Sequence, residues 1–334
     1  MEDSISQHQL VRFIKAYVKS MWPYYAFVTG IPGWVGVAFY EHIATDFGTV
    51  EIMPSVERKF ATLLLLFLSW GINQIINDFL GRAEDRINAP HRPMVSGELH
   101  VGGAMALSAV LILATGFITW FYLEPVALIP LIIGVFLNIL YEYAKGHGIW
   151  GNIIFGLMIS MCPVFGYLAS GPVHSPYFTS SRLAIWGLIW LINSLMTYYT
   201  YFKDYKGDKR AGKRTVIVKY GLRKARTIGV AGALLPLIYF VSVYKAGFIV
   251  AEANRIFIIL GMLSVFLEIW TAVLYYVSPV GKRTYYSLAT NFRACICAQA
   301  SLIALFNTEL ALILFIVSYV FVGFLFDLYP DAKA

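Results

Sequence analysis

Long apolar segments separated by short polar connections run along nearly the whole chain. About 20 mostly apolar residues are enough for a helix to cross the hydrocarbon core of a bilayer. The pattern therefore predicts an all-helical membrane bundle of nine spans in a single domain over residues 1–334, or of ten spans if a break at 307–309 separates the last two segments. The predicted spans are 22–42, 59–80, 101–121, 125–143, 149–170, 182–202, 223–247, 253–277, 287–306 and 309–327.

Both ends of the chain extend this pattern. Near the start, Phe13, Tyr17 and Met21 recur at helical spacing with basic residues between them. Such a segment is typical of a helix that lies in the headgroup region of a membrane. We therefore predict an amphipathic interfacial helix over residues 1–20, the alternative being a frayed amphipathic extension. At the other end, residues 309–327 predict an extra C-terminal helix.

The composition excludes most soluble classes of protein. Hydrophobic residues make up 59% of the chain and charged residues 13%, whereas a soluble domain has about 25% charged residues. A soluble enzyme, a nucleic-acid-binding domain and a disordered chain are therefore excluded. The expected surroundings are a lipid bilayer, and the sequence indicates neither nucleic acid nor an obligate protein as a partner.

The basic residues are distributed unevenly over the loops. They are concentrated at 81–100, 143–149, 203–226 and 278–286, and the loops between these hold few. By the positive-inside rule, the basic loops and the N-terminus face the cytoplasm. The chain is thus predicted to be a multi-pass membrane protein in which the polar ends of the second, fourth, sixth and eighth spans share the cytoplasmic side.

The second span ends in a polar cluster. Asn73, Asn77, Gly81 and Asp85 are spaced four residues apart and therefore share one helical face. Amides at the end of an apolar span are costly to bury unless they find partners. Taken alone, the two asparagines are more typical of hydrogen bonding between packed helices than of a site.

The sixth span ends in a second cluster, in which Asp204 and Asp208 are also four residues apart. Taken alone, this pair is as typical of a solvated helix end as of a site. Both clusters are predicted on one side of the membrane, so the two helix ends can meet across the bundle. Mg²⁺ is commonly held by one or two carboxylates together with substrate phosphates, and the pairing therefore predicts a site for Mg²⁺ and a diphosphate. The candidate diphosphate ligands are Arg92, Lys145, Lys203, Lys213 and Arg214.

These residues resemble the motifs of the UbiA superfamily of intramembrane prenyltransferases. Residues 77–97 resemble the family's first Asp-rich motif with its DRxNxPxRPxxSG loop, and residues 204–215 resemble the second motif, DxxxDxxxGKRT. Tyr141 and Lys145, followed by Gly151 and Asn152, are similar to the YxxxK element between them. The three motifs, in this order and spacing, extend the resemblance over about residues 20–306.

The resemblance implies a helical bundle with a central cavity near the cytoplasmic face, Mg²⁺ as the cofactor and an allylic isoprenyl diphosphate as the substrate. Carried over residue by residue, the catalytic and metal-side positions are Asn77, Asp85, Asp204 and Asp208. The positions near the diphosphate are Arg92, Lys145 and Arg214, with Lys203 and Lys213 as basic neighbours. Further positions expected to line the site are Asn73, Asp78, Gly81, Tyr141 and Tyr198.

One position departs from the family's pattern. The usual first motif, NxxxDxxxD, has a central aspartate where this chain has Gly81. Three explanations are open: a decayed enzyme, a prenyltransferase in which Asp78 or Glu84 compensates, and a changed reaction. The decayed enzyme is disfavoured because every other motif residue is present, and glycine at this position resembles the pattern of the UbiA-type terpene cyclases.

We therefore expect a class I-type terpene cyclase, a lyase of diterpene biosynthesis. It would ionise an isoprenyl diphosphate, foremost geranylgeranyl diphosphate, release pyrophosphate and cyclise the allylic cation. Aromatic faces such as those of Tyr141 and Tyr198 suit a carbocation, although tyrosine also gathers at membrane interfaces. The alternative within the family is transfer of the prenyl group to an aromatic, quinone-precursor or lipid acceptor. A transporter or a non-catalytic scaffold is a third hypothesis, disfavoured because the acidic clusters lie at helix ends and not across the bilayer midplane.

Overall fold

The computed structural model describes residues 2–44 and 52–328, with side chains from residue 9 onward. Within these ranges the chain forms helices and one pair of two-residue strands. The helices are α1 Glu2–Ser20, α2 Ala26–His42, α3 Val56–Leu80, α4 Arg82–Asn88, α5 Pro93–Ser96, α6 Val101–Phe121, α7 Leu128–Ala144, α8 Trp150–Ala169, α9 Ser180–Arg210, α10 Val216–Gly232, α11 Leu235–Lys245, α12 Arg255–Val277, α13 Thr284–Ile303 and α14 Thr308–Leu328. The strands are β1 His147–Gly148 and β2 Arg214–Thr215.

Eight segments of the described chain are long and apolar enough to span a membrane. Helices α10 and α11 count among them as one interrupted span over Val216–Lys245. The 17-residue helix α2 and the more polar helix α13 are outside these eight. The prediction of an all-helical, multi-pass membrane bundle is confirmed.

The low apolarity of the ninth predicted span has a structural cause. Helix α13 is buried along most of its length, and its Asn291 and Gln299 are fully buried. Asn291 Nδ2 donates to the carbonyl oxygen of Met196 over 2.8 Å, and Asn193 Nδ2 donates to Gln299 Oε1 over 3.1 Å. Both side chains therefore find hydrogen-bond partners on α9 inside the bundle and are not exposed to lipid.

The two ends of the chain follow the predicted helices. At the C-terminal end, the side chain of Asn307 accepts a hydrogen bond from the Leu310 amide and begins α14 as a helix separate from α13. At the N-terminal end, the buried Tyr17 of α1 bonds to Ser108 of α6 over 2.7 Å. Other side chains of α1, such as the apolar Leu10, are exposed. The interfacial position of α1 stays a prediction.

Helix α9 reaches beyond the expected apolar core of a bilayer. Its 31 residues give a length of about 46 Å, against about 30 Å for the hydrocarbon core. Asp204 and Asp208 lie in its last two turns. Beyond this end, β2 pairs in parallel with β1, His147 opposite Arg214, and ties the loop after α9 to the loop after α7.

A glycine brings the two polar helix ends together. Gly207 lies between Asp204 and Asp208 on α9, where α9 packs against α4. A Cβ atom at this position would overlap the side chain of Asn88 on α4. Glycine therefore permits the close approach of α4, which carries Asp85, to the end of α9.

Candidate active site

Arg92 joins two carboxylates of the first cluster. Its Nη1 atom lies 2.8 Å from Asp78 Oδ1 and 2.7 Å from Asp85 Oδ2. Gln74 Nε2 also donates to Asp78 Oδ1, over 2.6 Å. Both carboxylates are buried, and charge-assisted bonds of this length are strong. The first cluster is therefore held together by its own cation.

Lys145 stands between the two carboxylates of the second cluster at longer distances. Its Nζ atom lies 3.7 Å from Asp204 Oδ2 and 3.8 Å from Asp208 Oδ1. Asp208 is fully buried, and neither of its carboxylate oxygens has a hydrogen-bond partner among the described residues. Because an unsatisfied buried carboxylate is costly, the second cluster has acceptor capacity that a ligand can use.

A third ion pair adjoins these clusters. Lys213 Nζ lies 2.7 Å from Glu142 Oε1 and 3.1 Å from Glu84 Oε1. Glu142 was not predicted as a site residue. It precedes Lys145 by three residues and so shares a helical face with it, a signal that the sequence contained.

The ion pairs of Arg92, Lys145 and Lys213 adjoin one chamber with an empty volume of about 840 Å³, including the space at its open side. Asp85 from α4 and Asp204 from α9 both line it, so the two acidic helix ends meet as expected. Gln74, Glu142 and Thr200, which were not predicted as site residues, also contribute to its walls. The predicted site residues in its lining are Asn77, Gly81, Asp85, Arg92, Tyr141, Lys145, Lys203 and Asp204.

Six other predicted residues are not among those that line this chamber. Asp208 and Lys213 reach it through their ion pairs with Lys145 and with Glu142. Asp78 lies behind Arg92, to which it is bonded. The remaining three have other surroundings.

Asn73, Tyr198 and Arg214 lie away from the polar chamber. Asn73 lines a neighbouring apolar cavity. The Tyr198 hydroxyl donates to the carbonyl oxygen of Ala225 over 2.6 Å, inside a separate core between α9 and α10. Arg214 is exposed in β2. The geometry therefore gives these three no direct contact with the chamber.

An apolar cavity adjoins the polar chamber. Its empty volume is about 630 Å³, and it shares Trp70, Gln74 and Asn77 with the chamber. Most of its other walls are apolar side chains of α3, α7 and α8, such as Leu66 and Met158. The two spaces together suit a molecule with a charged head and an apolar chain.

Burial and neighbouring charges shift the pKa values of groups just beyond the spans. Burial raises the pKa of Asp85, while Arg92 and Lys145 act in the opposite direction. Burial disfavours the Arg92 cation, but Asp78 and Asp85 raise the pKa of Arg92 above its ordinary value. Lys145 is likewise opposed by burial, but Asp208 and Asp204 hold its pKa well above the usual range. Both cations therefore stay charged near neutral pH.

The donor atoms around the chamber are of the kind that Mg²⁺ prefers. Oxygen atoms of Asn77, Glu84 and Asp208 are buried and have no hydrogen-bond partner among the described residues. Hard oxygen ligands of this type suit Mg²⁺, which also takes substrate phosphates and water. Within the described ranges no three acidic, histidine or cysteine side chains converge into a preformed metal cage. The residues thus fit a metal that arrives with phosphate oxygens of a ligand.

The fold defines a multi-pass membrane protein with a polar chamber beside an apolar cavity at the polar ends of its helices. The profile of the UbiA prenyltransferase family matches residues 31–296, and this chain belongs to that family. The resemblance found in the motifs is therefore confirmed.

Two relatives of this chain carry the name of the same enzyme. A digeranylgeranylglyceryl phosphate synthase from Thermococcus sibiricus is 26% identical over 251 residues, covering 70% of this chain and 78% of the relative. A protein of the same name from Sulfolobus acidocaldarius is 31% identical over 222 residues, covering 60% and 74%.

Solved structures share the fold. A UbiA homolog from Archaeoglobus fulgidus, bound to GPP and Mg²⁺, superposes with a TM-score of 0.60 at 17% identity, covering 87% of this chain and 99% of that one. The apo structure of a UbiA homolog from Aeropyrum pernix gives a TM-score of 0.64 at 16% identity, covering 83% and 97%. Other structures of the Archaeoglobus protein contain DMAPP with Mg²⁺, or Cd²⁺.

The expectation of a terpene cyclase, and with it of a lyase, is wrong. The relatives are named as synthases of digeranylgeranylglyceryl phosphate, and the matching family is one of prenyltransferases. The expectation rested on Gly81 alone. An uncharged residue at one position of the motif does not identify the reaction, because neighbouring helices can supply the missing charge.

Proposed function

We propose that this chain is an intramembrane prenyltransferase that moves a prenyl group from an isoprenyl diphosphate to a lipid acceptor. The proposal rests on one observation above all: Asp85 and Asp204, from two different helix ends, line one polar chamber that adjoins an apolar cavity. The chamber suits the diphosphate of the donor, and the apolar cavity suits its chain.

The donor would be geranylgeranyl diphosphate and the acceptor a glyceryl phosphate lipid with a free hydroxyl group. The names of the relatives support both choices, since they describe a glyceryl phosphate carrying two geranylgeranyl groups. In the transfer, the allylic C–O bond of the donor breaks and pyrophosphate leaves. The acceptor oxygen forms the new C–O bond and loses its proton, which departs with pyrophosphate.

Different residues of the chamber would bind the metal and orient the diphosphate. Mg²⁺, when bound, would neutralise charge on the departing pyrophosphate. Asp204, Asp208, Asp85 and Asn77 supply the oxygen atoms that would hold it. Arg92 and Lys145 keep their positive charge at neutral pH and would orient the diphosphate.

The chamber would open toward the cytoplasm. The loops that surround it, at 81–100, 143–149 and 203–226, carry most of the basic residues of the chain, and such loops stay on the cytoplasmic side. A cytoplasmic opening would give soluble Mg²⁺ access to the polar end of the donor.

An acceptor-dependence assay tests the proposal. The purified protein is reconstituted in vesicles with geranylgeranyl diphosphate and Mg²⁺, with or without geranylgeranylglyceryl phosphate, and separate arms offer an aromatic or a quinone-precursor acceptor. We expect a doubly prenylated product only with the glyceryl phosphate lipid, loss of turnover with a chelator and recovery with Mg²⁺. Equal consumption of the donor without any acceptor would overturn the transferase, and turnover with an aromatic acceptor alone would overturn the lipid acceptor.

A further inference from the structure

The polar face that runs from α3 into α4 has a gap at Gly81. Asn77 and Asp85, one turn before and one turn after it, both present oxygen atoms near the chamber. The backbone at Gly81, with φ −88° and ψ 9°, is open to residues with side chains. The glycine is therefore not required by the conformation of the chain.

The space beside Gly81 is occupied by a carboxylate from another helix. A Cβ atom built on Gly81 would lie 3.3 Å from Glu142 Oε1 and 3.7 Å from Glu142 Cδ. Glu142 belongs to the last turn of α7 and lines the same chamber. An acidic side chain at position 81 would lie against this carboxylate and repel it. Glycine at position 81 therefore leaves the space that the Glu142 carboxylate occupies.

Asp78 and Glu84, the two acids that the sequence suggested as compensation for the missing aspartate at position 81, make other contacts. Asp78 is bonded to Arg92 and Gln74 and is not among the residues that line the chamber. Glu84 contacts Lys213 at 3.1 Å, and no atom of it is among the nearest neighbours of a Cβ on Gly81. Of the three acids, Glu142 is the one whose carboxylate lies beside the gap.

We propose that Glu142 supplies, from α7, the carboxylate that the α3–α4 face lacks at position 81, as a ligand-side group for the divalent cation. This inference rests on the proposed function. Lys213 contacts both Glu142 and Glu84. If Glu142 binds a metal, Lys213 therefore still has Glu84 as its carboxylate partner. Four carboxylates and three cationic side chains line the chamber, and this excess of carboxylates suits divalent cations. The carboxylates are those of Glu84, Asp85, Glu142 and Asp204, and the cations are Arg92, Lys145 and Lys203.

The test moves the carboxylate from one helix to the other. Binding of Mn²⁺, as a stand-in for Mg²⁺, is measured by electron paramagnetic resonance on the purified protein in detergent with inorganic pyrophosphate present. Glu142→Gln should weaken Mn²⁺ binding about tenfold, the lower end of what the loss of a supporting group costs. Gly81→Asp combined with Glu142→Ala should restore binding to within about threefold of the parent, whereas Glu142→Ala alone should not.

Three controls separate this role from others. Glu124→Gln removes a carboxylate paired with Arg58, far along the chain from the chamber, and should leave Mn²⁺ binding unchanged. Gly81→Ala adds only the Cβ and should not rescue Glu142→Ala. In a Lys213→Met background, Glu142→Gln should still weaken binding, because a residue that acted only through Lys213 would have no further effect there.

Each outcome decides the inference. Parent-like Mn²⁺ binding by Glu142→Gln, or no rescue by the relocated aspartate, overturns the role of Glu142 while the proposed function stands, provided that Asp204→Asn still abolishes binding. If the parent binds no Mn²⁺ even with pyrophosphate present, both proposals fail. Thermal unfolding of every variant is followed in parallel, and if Glu142→Ala does not fold, Glu142→Gln with and without Gly81→Asp carries the comparison.

Discussion

The two acidic helix ends that face each other across the chamber differ in how their charges are satisfied. At the end of α3, Arg92 bonds to Asp78 and Asp85 at 2.8 and 2.7 Å. At the end of α9, Lys145 remains 3.7 and 3.8 Å from Asp204 and Asp208. Arg92 thus neutralises both carboxylates of the first cluster at close range, whereas neither carboxylate oxygen of Asp208 in the second cluster has a hydrogen-bond partner among the described residues. The difference indicates that the first cluster supports the fold of the site and the second is the more available to a ligand.

The largest expected effect comes from removing charge at the second cluster. Asp208→Asn should lower acceptor-dependent prenyl transfer about a thousandfold, the scale on which the loss of a preorganised electrostatic group acts. Unfolding stability should change little, because Asp208 makes no hydrogen bond within the described residues and only a long contact of 3.8 Å with Lys145. Transfer rates and thermal unfolding in detergent are measured together, with the exposed Glu252→Gln as the matched control. Transfer above a tenth of the parent rate would contradict the comparison.

The next effect concerns stability at the first cluster. Arg92→Met leaves Asp78 and Asp85 without their shared cation and should destabilise the protein by about 3 kcal/mol, as for a broken buried pair. Lys145→Met, which breaks longer contacts, should cost less. Denaturant unfolding in detergent measures both.

A repair experiment checks the cause of that loss. Adding Asp78→Asn and Asp85→Asn to Arg92→Met removes the stranded charges and should recover most of the stability, since neutral groups are less costly to bury. If Lys145→Met proves the more destabilising of the two single variants, the assignment of structural and ligand-binding roles is reversed.

A smaller effect, on Mn²⁺ affinity, is expected when the pH is lowered. Burial raises the pKa of Asp85, so this carboxylate takes up a proton at a higher pH than an ordinary aspartate, whose pKa is about 3.9. Mn²⁺ affinity should therefore begin to fall as the pH drops toward this raised value. Asp85→Asn should remove that part of the profile. For stability the sign is opposite: the protonated form is favoured in the folded state, so this contribution is present at low pH and is lost as the pH rises through the raised pKa.

The smallest effect is expected at Arg214. Its side chain is exposed in β2, and exposed substitutions commonly change free energies by no more than about 0.5 kcal/mol. Arg214→Gln should therefore change transfer by about twofold, whereas Lys145→Gln should have a far larger effect. Equal losses in the two variants would show that Arg214 reaches the diphosphate as the motif resemblance implies.

Much of the architecture was predictable because lipid imposes a simple rule on composition. Apolar segments of the required length predicted α3, α6, α8 and α12 close to their observed positions. The ninth span was weak in this signal because α13 is surrounded by protein, where Asn291 and Gln299 find partners. Hydropathy indicates contact with lipid. It therefore predicts a membrane span poorly when the helix is surrounded by other helices in the centre of a bundle.

The site was predictable where four-residue spacing placed polar groups on one helical face. That argument found Asn77, Asp85 and Asp204 in the chamber but also included Asn73, which lies in the apolar cavity. It could not find Glu142, whose importance depends on the position of α7 relative to α3.

The sequence by itself determined that this protein is a helical membrane bundle with two acidic helix ends, because hydropathy and helical periodicity are local properties of the chain. Only the tertiary structure decided which acids are already neutralised, which line the chamber and what occupies the space beside Gly81. These depend on distances of a few ångströms between side chains on different helices, and such distances follow from packing, for example the contact of Gly207 with α4. Coulomb energies and ligand geometry change steeply over such distances, so the chemistry of the site follows from the folded arrangement.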